Sequence, residues 1–270
     1  MTIMESTIEG TTGSGPVLNV LSLALRETIR LARHPVLWLT PIIAVPVLGL
    51  DGLTAGQSAS FWYNVIFAIV AFLGPMVMLF AANMVASGER RVRAEEMLGA
   101  TPMTDIQRTL AMCLGTALTL GSVGAVGAVA LSMISDRASD IPADELLTAG
   151  ELAQLPFILA GAGLLGVLAA RWLRFSGGAL ITFVVFVLGA LNLFPRFDTG
   201  AWWMWWSTST SFERPPIAGD PWLHAAYLAG LCTCAMVAAV YRDRTQWTKL
   251  VAVGAPVLAA TLAVGWLQLP

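Results

Sequence analysis

The chain has 270 residues and a net charge of -2, with 57% hydrophobic and 12% charged residues. Soluble domains carry about 25% charged residues and about 45–50% apolar ones with glycine included. These values, with a mean hydropathy of +0.74, exclude a soluble globular or disordered protein and predict an all-α, polytopic membrane protein. A spanning helix needs about 20 apolar residues, so there is room for about six to eight spans and none for a nucleotide-hydrolysing domain besides.

Residues 1–15 contain Glu5 and Glu9, no basic residue, and the sequence Gly13-Ser14-Gly15. A secretory signal needs a basic start and an apolar core, so this stretch is expected to be a disordered cytoplasmic tail. Residues 16–34 predict an amphipathic helix. Asn19, Ser22, Arg26, Arg30 and Arg33 recur at helical spacing as one polar stripe. Leu18, Leu21, Leu25, Ile29 and Ala32 form the other face. Such a helix is expected in the inner membrane interface, its arginines toward lipid headgroups or a partner.

Seven apolar runs follow: Val36–Leu50, Trp62–Ala86, Leu110–Ile134, Leu152–Ala170, Gly177–Phe194, Trp222–Val240 and Leu250–Trp266. Pro35, Pro41 and Pro46 punctuate the short first run and predict kinks. The runs are continuous rather than alternating, which excludes a β-barrel. With the first polar segment inside, the inner segments hold Arg26, Arg30, Arg33, Arg90, Arg91, Arg93, Arg108, Arg171, Arg174, Arg242, Arg244 and Lys249. The outer segments hold Arg137, Arg196 and Arg214. This bias predicts a multi-pass protein of the plasma membrane with its N-terminus cytoplasmic and its C-terminus outside.

The inner loop 87–109 carries Glu89, Arg90, Arg91, Arg93, Glu95 and Glu96 in one short stretch, followed by Gly99-Ala100-Thr101-Pro102. Good helix formers run to Leu98, and Gly99 supplies a stop. Thr101 is expected to cap a new helix with Pro102 at its first position and Asp105 in its first turn. The loop therefore reads as helix, turn, helix: a compact charged knob under the membrane.

This order of elements resembles the permease subunits of type-2 ATP-binding-cassette exporters. The order is an amphipathic inner helix, two spans, a loop reading Glu-Arg…Arg…Glu-Glu-x-Leu-x-Ala-Thr-Pro, then a span. The resemblance runs from about Leu18 to Ile134. It implies that the loop docks on a separate ATPase subunit, with Glu89, Arg90, Arg91, Arg93, Glu95 and Glu96 as contacts. It also implies that ATP and Mg bind that partner, and that a second permease copy or a related permease completes the assembly. The usual permease has six spans and a cytoplasmic C-terminus, whereas seven runs occur here; six remain if Leu250–Trp266 does not span.

Other chemistry is sparse. The single lysine, Lys249, follows Thr248 and cannot belong to a phosphate loop. No Asp, Glu, Lys or Arg lies within a run, which disfavours an ion-coupled carrier. Asn64, Asn83 and Asn192 are the polar residues within runs that are candidates for a substrate pathway or for interhelical bonds. His34 and His224 fall on opposite sides, so no nucleophile–base pair forms at one depth and no enzyme is expected. Cys232 and Cys234 diverge on one helix, and no metal cluster is legible.

Ala117, Gly121 and Ala125, like Gly161, Gly163 and Gly166, allow close helix approach, within the chain or across a subunit interface. Of the outer loops 135–151 and 195–221, the first is acidic. The second holds Trp202, Trp203, Trp205 and Trp206, expected as a short helix on the outer leaflet. No cofactor or nucleic acid is expected. The reading is an ATP-driven permease exporting an apolar or amphipathic small molecule or lipid. The alternative is a non-transporting membrane scaffold or assembly factor.

Overall fold

A computed structural model of the chain describes residues 16–38, 42, 59–91, 104–136, 146–173, 175, 177–193, 219–242 and 244–268. The described residues are all-helical, and five of their helices are long and apolar enough to cross a membrane. The amphipathic helix α1 spans Pro16–Ala32. The second run forms α2 (Ala59–Ala68), a π-turn (Ile69–Leu73) and α3 (Gly74–Arg91) in one continuous rod. The third forms α4 (Asp105–Ser135). A short α5 (Ala149–Leu152) leads into α6 (Leu155–Trp172). Then come α7 (Gly178–Leu193), α8 (Pro221–Val240) and α9 (Trp247–Leu267). With 16 residues, α7 is shorter than a full span. The run Val36–Leu50 lies mostly outside the described residues.

The π-turn has a sequence cause. Pro75 has no N–H, and its ring would collide with the carbonyl four residues earlier in a regular helix. The chain widens instead, and the Gly74 N–H reaches back to the Ile69 carbonyl. A Cβ on Gly74 would stand 2.8 Å from that oxygen and 3.0 Å from Leu159 Cδ2, so glycine is required where the turn packs on α6.

The central helix is α6, which packs against α3, α4, α7 and α8. Its small residues set the approach. A Cβ on Gly166 would strike the Leu79 carbonyl of α3, and one on Gly163 would strike Leu120 of α4. From the other side, a Cβ on Gly124 of α4 would lie 2.7 Å from the Leu155 carbonyl. Gly124, Gly127, Gly163 and Gly166 therefore all serve packing within the chain. Ala125 faces outward.

The contacts fix helix directions. On α4, Gly124 meets Leu155 and Leu120 meets Gly163, so α4 and α6 are antiparallel. Gly74 meets Leu159 and Asn83 meets Gly166, so α3 and α6 run the same way. Gln154 Nε2 donates to the Pro221 carbonyl (3.1 Å), and Trp172 Nε1 donates to the Ala238 carbonyl (2.9 Å), so α8 also runs with α6. Helix α9 returns against α8: Gly254 faces Val237, Thr261 faces Gly230, and Gln268 Oε1 lies 2.9 Å from His224 Nδ1. Helix α9 is therefore antiparallel to α8 along its length.

Candidate functional site

The bundle has two chemically different ends. One end collects Arg26 and Arg30 of α1 and Arg33 just past its end, Arg108 at the start of α4, Arg171 at the end of α6, Arg242 after α8, and Lys249 in the first turn of α9. The other end holds Asp136, Glu151 and Asp220 and, among the described residues, no Arg or Lys. At the basic end Arg242 Nη1 donates to the Arg171 carbonyl (2.9 Å), tying the ends of α6 and α8 together. Arg108 pairs with Asp105 at 3.7 Å, one turn apart.

Helix α1 is seated on α4 at this end by a seam of small and hydroxyl residues. Val20 and Ala24 pack with Ala111. Thr28 Oγ1 donates to the Ala24 carbonyl (2.9 Å) and faces the Gly115 carbonyl at 3.4 Å. Thr119 Oγ1 donates to the Gly115 carbonyl (2.7 Å) and lies 3.4 Å from that of Thr28. A Cβ on Gly115 would sit 2.8 Å from the Ala24 oxygen and 2.9 Å from Glu27 Cβ, so the seam closes only around glycine. Further along, Leu31 and Leu37 join Met78, Val85, Leu120 and Leu159. Arg30, paired with Glu27 at 3.5 Å, reaches over Gly88: a Cβ there would lie 3.2 Å from Arg30 Nη2. So α1 touches both helices that border the charged loop.

The loop's own residues are placed only at its edges. The backbone of Glu89, Arg90 and Arg91 continues α3, while Arg93, Glu95 and Glu96 lie outside the described residues, as do Thr101 and Pro102. The helix entering the third span begins at Asp105, later than Thr101 and Pro102 predict. Its N-cap is Thr104, whose Oγ1 accepts from the Gln107 N–H (3.2 Å) while Gln107 Oε1 accepts from the Thr104 N–H (3.0 Å). This capping box satisfies two otherwise orphaned donors reciprocally. Its signature, Thr-x-x-Gln, is present in the sequence, so Thr104 was identifiable.

The asparagines have separate settings. Asn83 is buried, and its Nδ2 donates to the Gly166 carbonyl at 3.1 Å, joining α3 to α6. Asn64 faces outward from α2. Asn192 lies in the helical backbone of α7, its side chain outside the description. The four clustered tryptophans, Trp202 to Trp206, also lie outside it. The three cysteines are free, and no group of metal-ligating residues occurs among the described residues. Compared with known proteins, the chain matches no family model and no curated relative.

A polar cluster at the acidic end was not singled out by sequence reasoning. His224 and Gln154 are fully buried, and Gln268 nearly so. The His224–Gln268 bond and the Gln154 bond to Pro221 join α6, α8 and α9. Tyr63 Oη accepts from the Leu147 N–H at 2.8 Å and ties α2 to the segment before α5. Lone glutamines at the edges of apolar runs were the available signal. Their partners are far away in sequence, so pattern alone could not pair them.

Proposed function

We propose that the chain is the transmembrane permease subunit of an ATP-binding-cassette transporter, exporting an apolar or amphipathic small molecule or lipid. ATP and Mg are bound and hydrolysed by a separate subunit, and a second permease copy or a related one closes the pathway. The basic end faces the cytoplasm, as the positive-inside bias requires. The observation that carries this reading is the attachment of α1 to both helices bordering the charged loop, through Gly115 of α4 and over Gly88 of α3. A displacement at residues 92–103 has two rigid levers to act on, and α1 couples them. Packed helices shift as units rather than deform continuously, which is how a small docking movement becomes a change of helix tilt.

The test is the charge reversal of Arg90, Arg91 and Arg93 to Glu in the full chain. Tagged wild-type chain from native membranes is expected to retain a phosphate-loop ATPase whose hydrolysis rises in its presence. The triple variant is expected to insert but to lose that subunit, because attraction is replaced by like-charge repulsion. A correctly inserted triple variant that keeps its ATPase and full stimulation removes the loop as the coupling element. A wild-type chain that retains no ATPase points to the scaffold reading instead.

A further inference from the structure

Helix α1 is three-sided. Its protein side is Val20, Ala24 and Leu31, all buried against α4 and α3. A second side is Val17, Leu18, Leu21, Leu25 and Ile29, which remain 44–69% exposed. The third is Ser22, Arg26 and Arg30, continued by Arg33 just past the helix end, all exposed. The one acid of the helix, Glu27, turns toward the seam at Gly115 and pairs with Arg30. An exposed row of large aliphatic residues thus runs beside an exposed row of arginines, on a helix fixed to the basic end of a membrane-spanning bundle.

From this arrangement we infer that α1 is an anionic-lipid grip: its leucine row enters the acyl boundary of one leaflet while Arg26, Arg30 and Arg33 hold acidic phospholipid headgroups. Three points select this occupant. The helix is anchored on helices that cross the bilayer, so its outward apolar row meets lipid at that depth. Arginines adjacent to an apolar face, rather than opposite it, place positive charge at headgroup level. Three arginines on that side face a single acid, Glu27, which is turned toward the seam and pairs with Arg30, so the side keeps a net positive charge. The inference needs only the spans and α1, and stands apart from the transport reading.

Each arginine beside an anionic leaflet contributes roughly a fivefold preference, so three together give roughly a hundredfold. The experiment uses the full chain with an environment-sensitive fluorophore at Leu25→Cys, in phosphatidylcholine nanodiscs with rising phosphatidylglycerol. The unsubstituted chain serves as the labelling control. Quenching by a neutral aqueous quencher is expected to fall several-fold as phosphatidylglycerol rises. A label at Ser22→Cys is expected to stay accessible. High salt and the R26Q/R30Q/R33Q variant are expected to abolish the response. A Leu25 label as accessible as the Ser22 label in every bilayer overturns the inference. So does protection that is equal in pure phosphatidylcholine, or protection that appears only when a soluble protein partner is added. ATPase stimulation, measured on the same samples, reports on the transport reading separately.

Discussion

At Gly115 the attachment of α1 comes down to one missing carbon. A Cβ there meets the Ala24 carbonyl and Glu27 Cβ inside normal contact, so Gly115→Ala must push α1 away or bend α4. Overpacking of this kind costs about 1–3 kcal/mol. G115A is expected to lower the thermal unfolding midpoint and to speed tryptic cleavage at Arg26 and Arg30 in inverted vesicles. Gly121 is the control, since the nearest atoms to a Cβ there are at 3.8 and 3.9 Å; G121A should behave as wild type. Equal behaviour of the two variants would dispose of the seam. Asn83 separates packing from pathway. Its amide donates to the Gly166 backbone carbonyl, and interhelical side-chain bonds in membranes contribute about 0.6 kcal/mol, up to about 2. Asn83→Leu is expected to lose stability of that order in detergent unfolding while transport, where assayable, persists. Transport lost at unchanged stability would assign Asn83 to the substrate route. The sequence showed these small and polar residues plainly. It did not show their destinations, because a glycine fits lipid, a neighbouring helix or a partner equally well until the crossing point is known.

The helices themselves were the most legible part, because burying a backbone in hydrocarbon demands a continuous apolar run. Five runs correspond to the five long helices, and Gly177–Phe194 corresponds to the 16-residue α7. Three element-level features were harder. The π-turn needed the consequence of Pro75 to be followed through its run. The sides of α1 were hidden because a helical wheel separates polar from apolar residues but not lipid-facing from protein-facing ones. Val20, Ala24 and Leu31 differ from Leu21 and Leu25 only in what lies opposite. Thr101-Pro102 is a strong entry signal for α4, yet the capping box at Thr104 and Gln107 defines the observed N-cap. Thr104→Ala removes one half of that box and is expected to cost about 0.5–2 kcal/mol. Hydrogen exchange at residues 105–108 should accelerate while the middle of α4, enclosed by α6, stays protected. Unchanged exchange over that first turn would mean that the cap carries no local stability.

For the whole molecule, the decisive question is where the C-terminus lies, because the resembling permeases end in the cytoplasm after six spans. Here α9 runs back along the full length of α8. Contacts at Val237, Gly230 and His224 climb in step with Gly254, Thr261 and Gln268. Its end is locked into the polar cluster beside α6, at the acidic end of the bundle. Its start, with Lys249, shares the basic end with Arg171 and Arg242. If basic residues mark the cytoplasm, residues 241–249 are inside and Gln268 is outside. A reporter active only in the cytoplasm is therefore expected to work when inserted near Arg244 and to be silent when fused after Pro270. The Gln268→Leu variant should keep this pattern, because α9 is a full-length apolar helix whose insertion does not depend on one buried amide. It should nonetheless unfold earlier, by about 1–3 kcal/mol, with the His224 nitrogen left without that partner. Reporters active at both positions would show that α9 does not cross. The α8–α9 pairing could not then form along a spanning α8, and the contact of Gln268 with His224 would be lost with it.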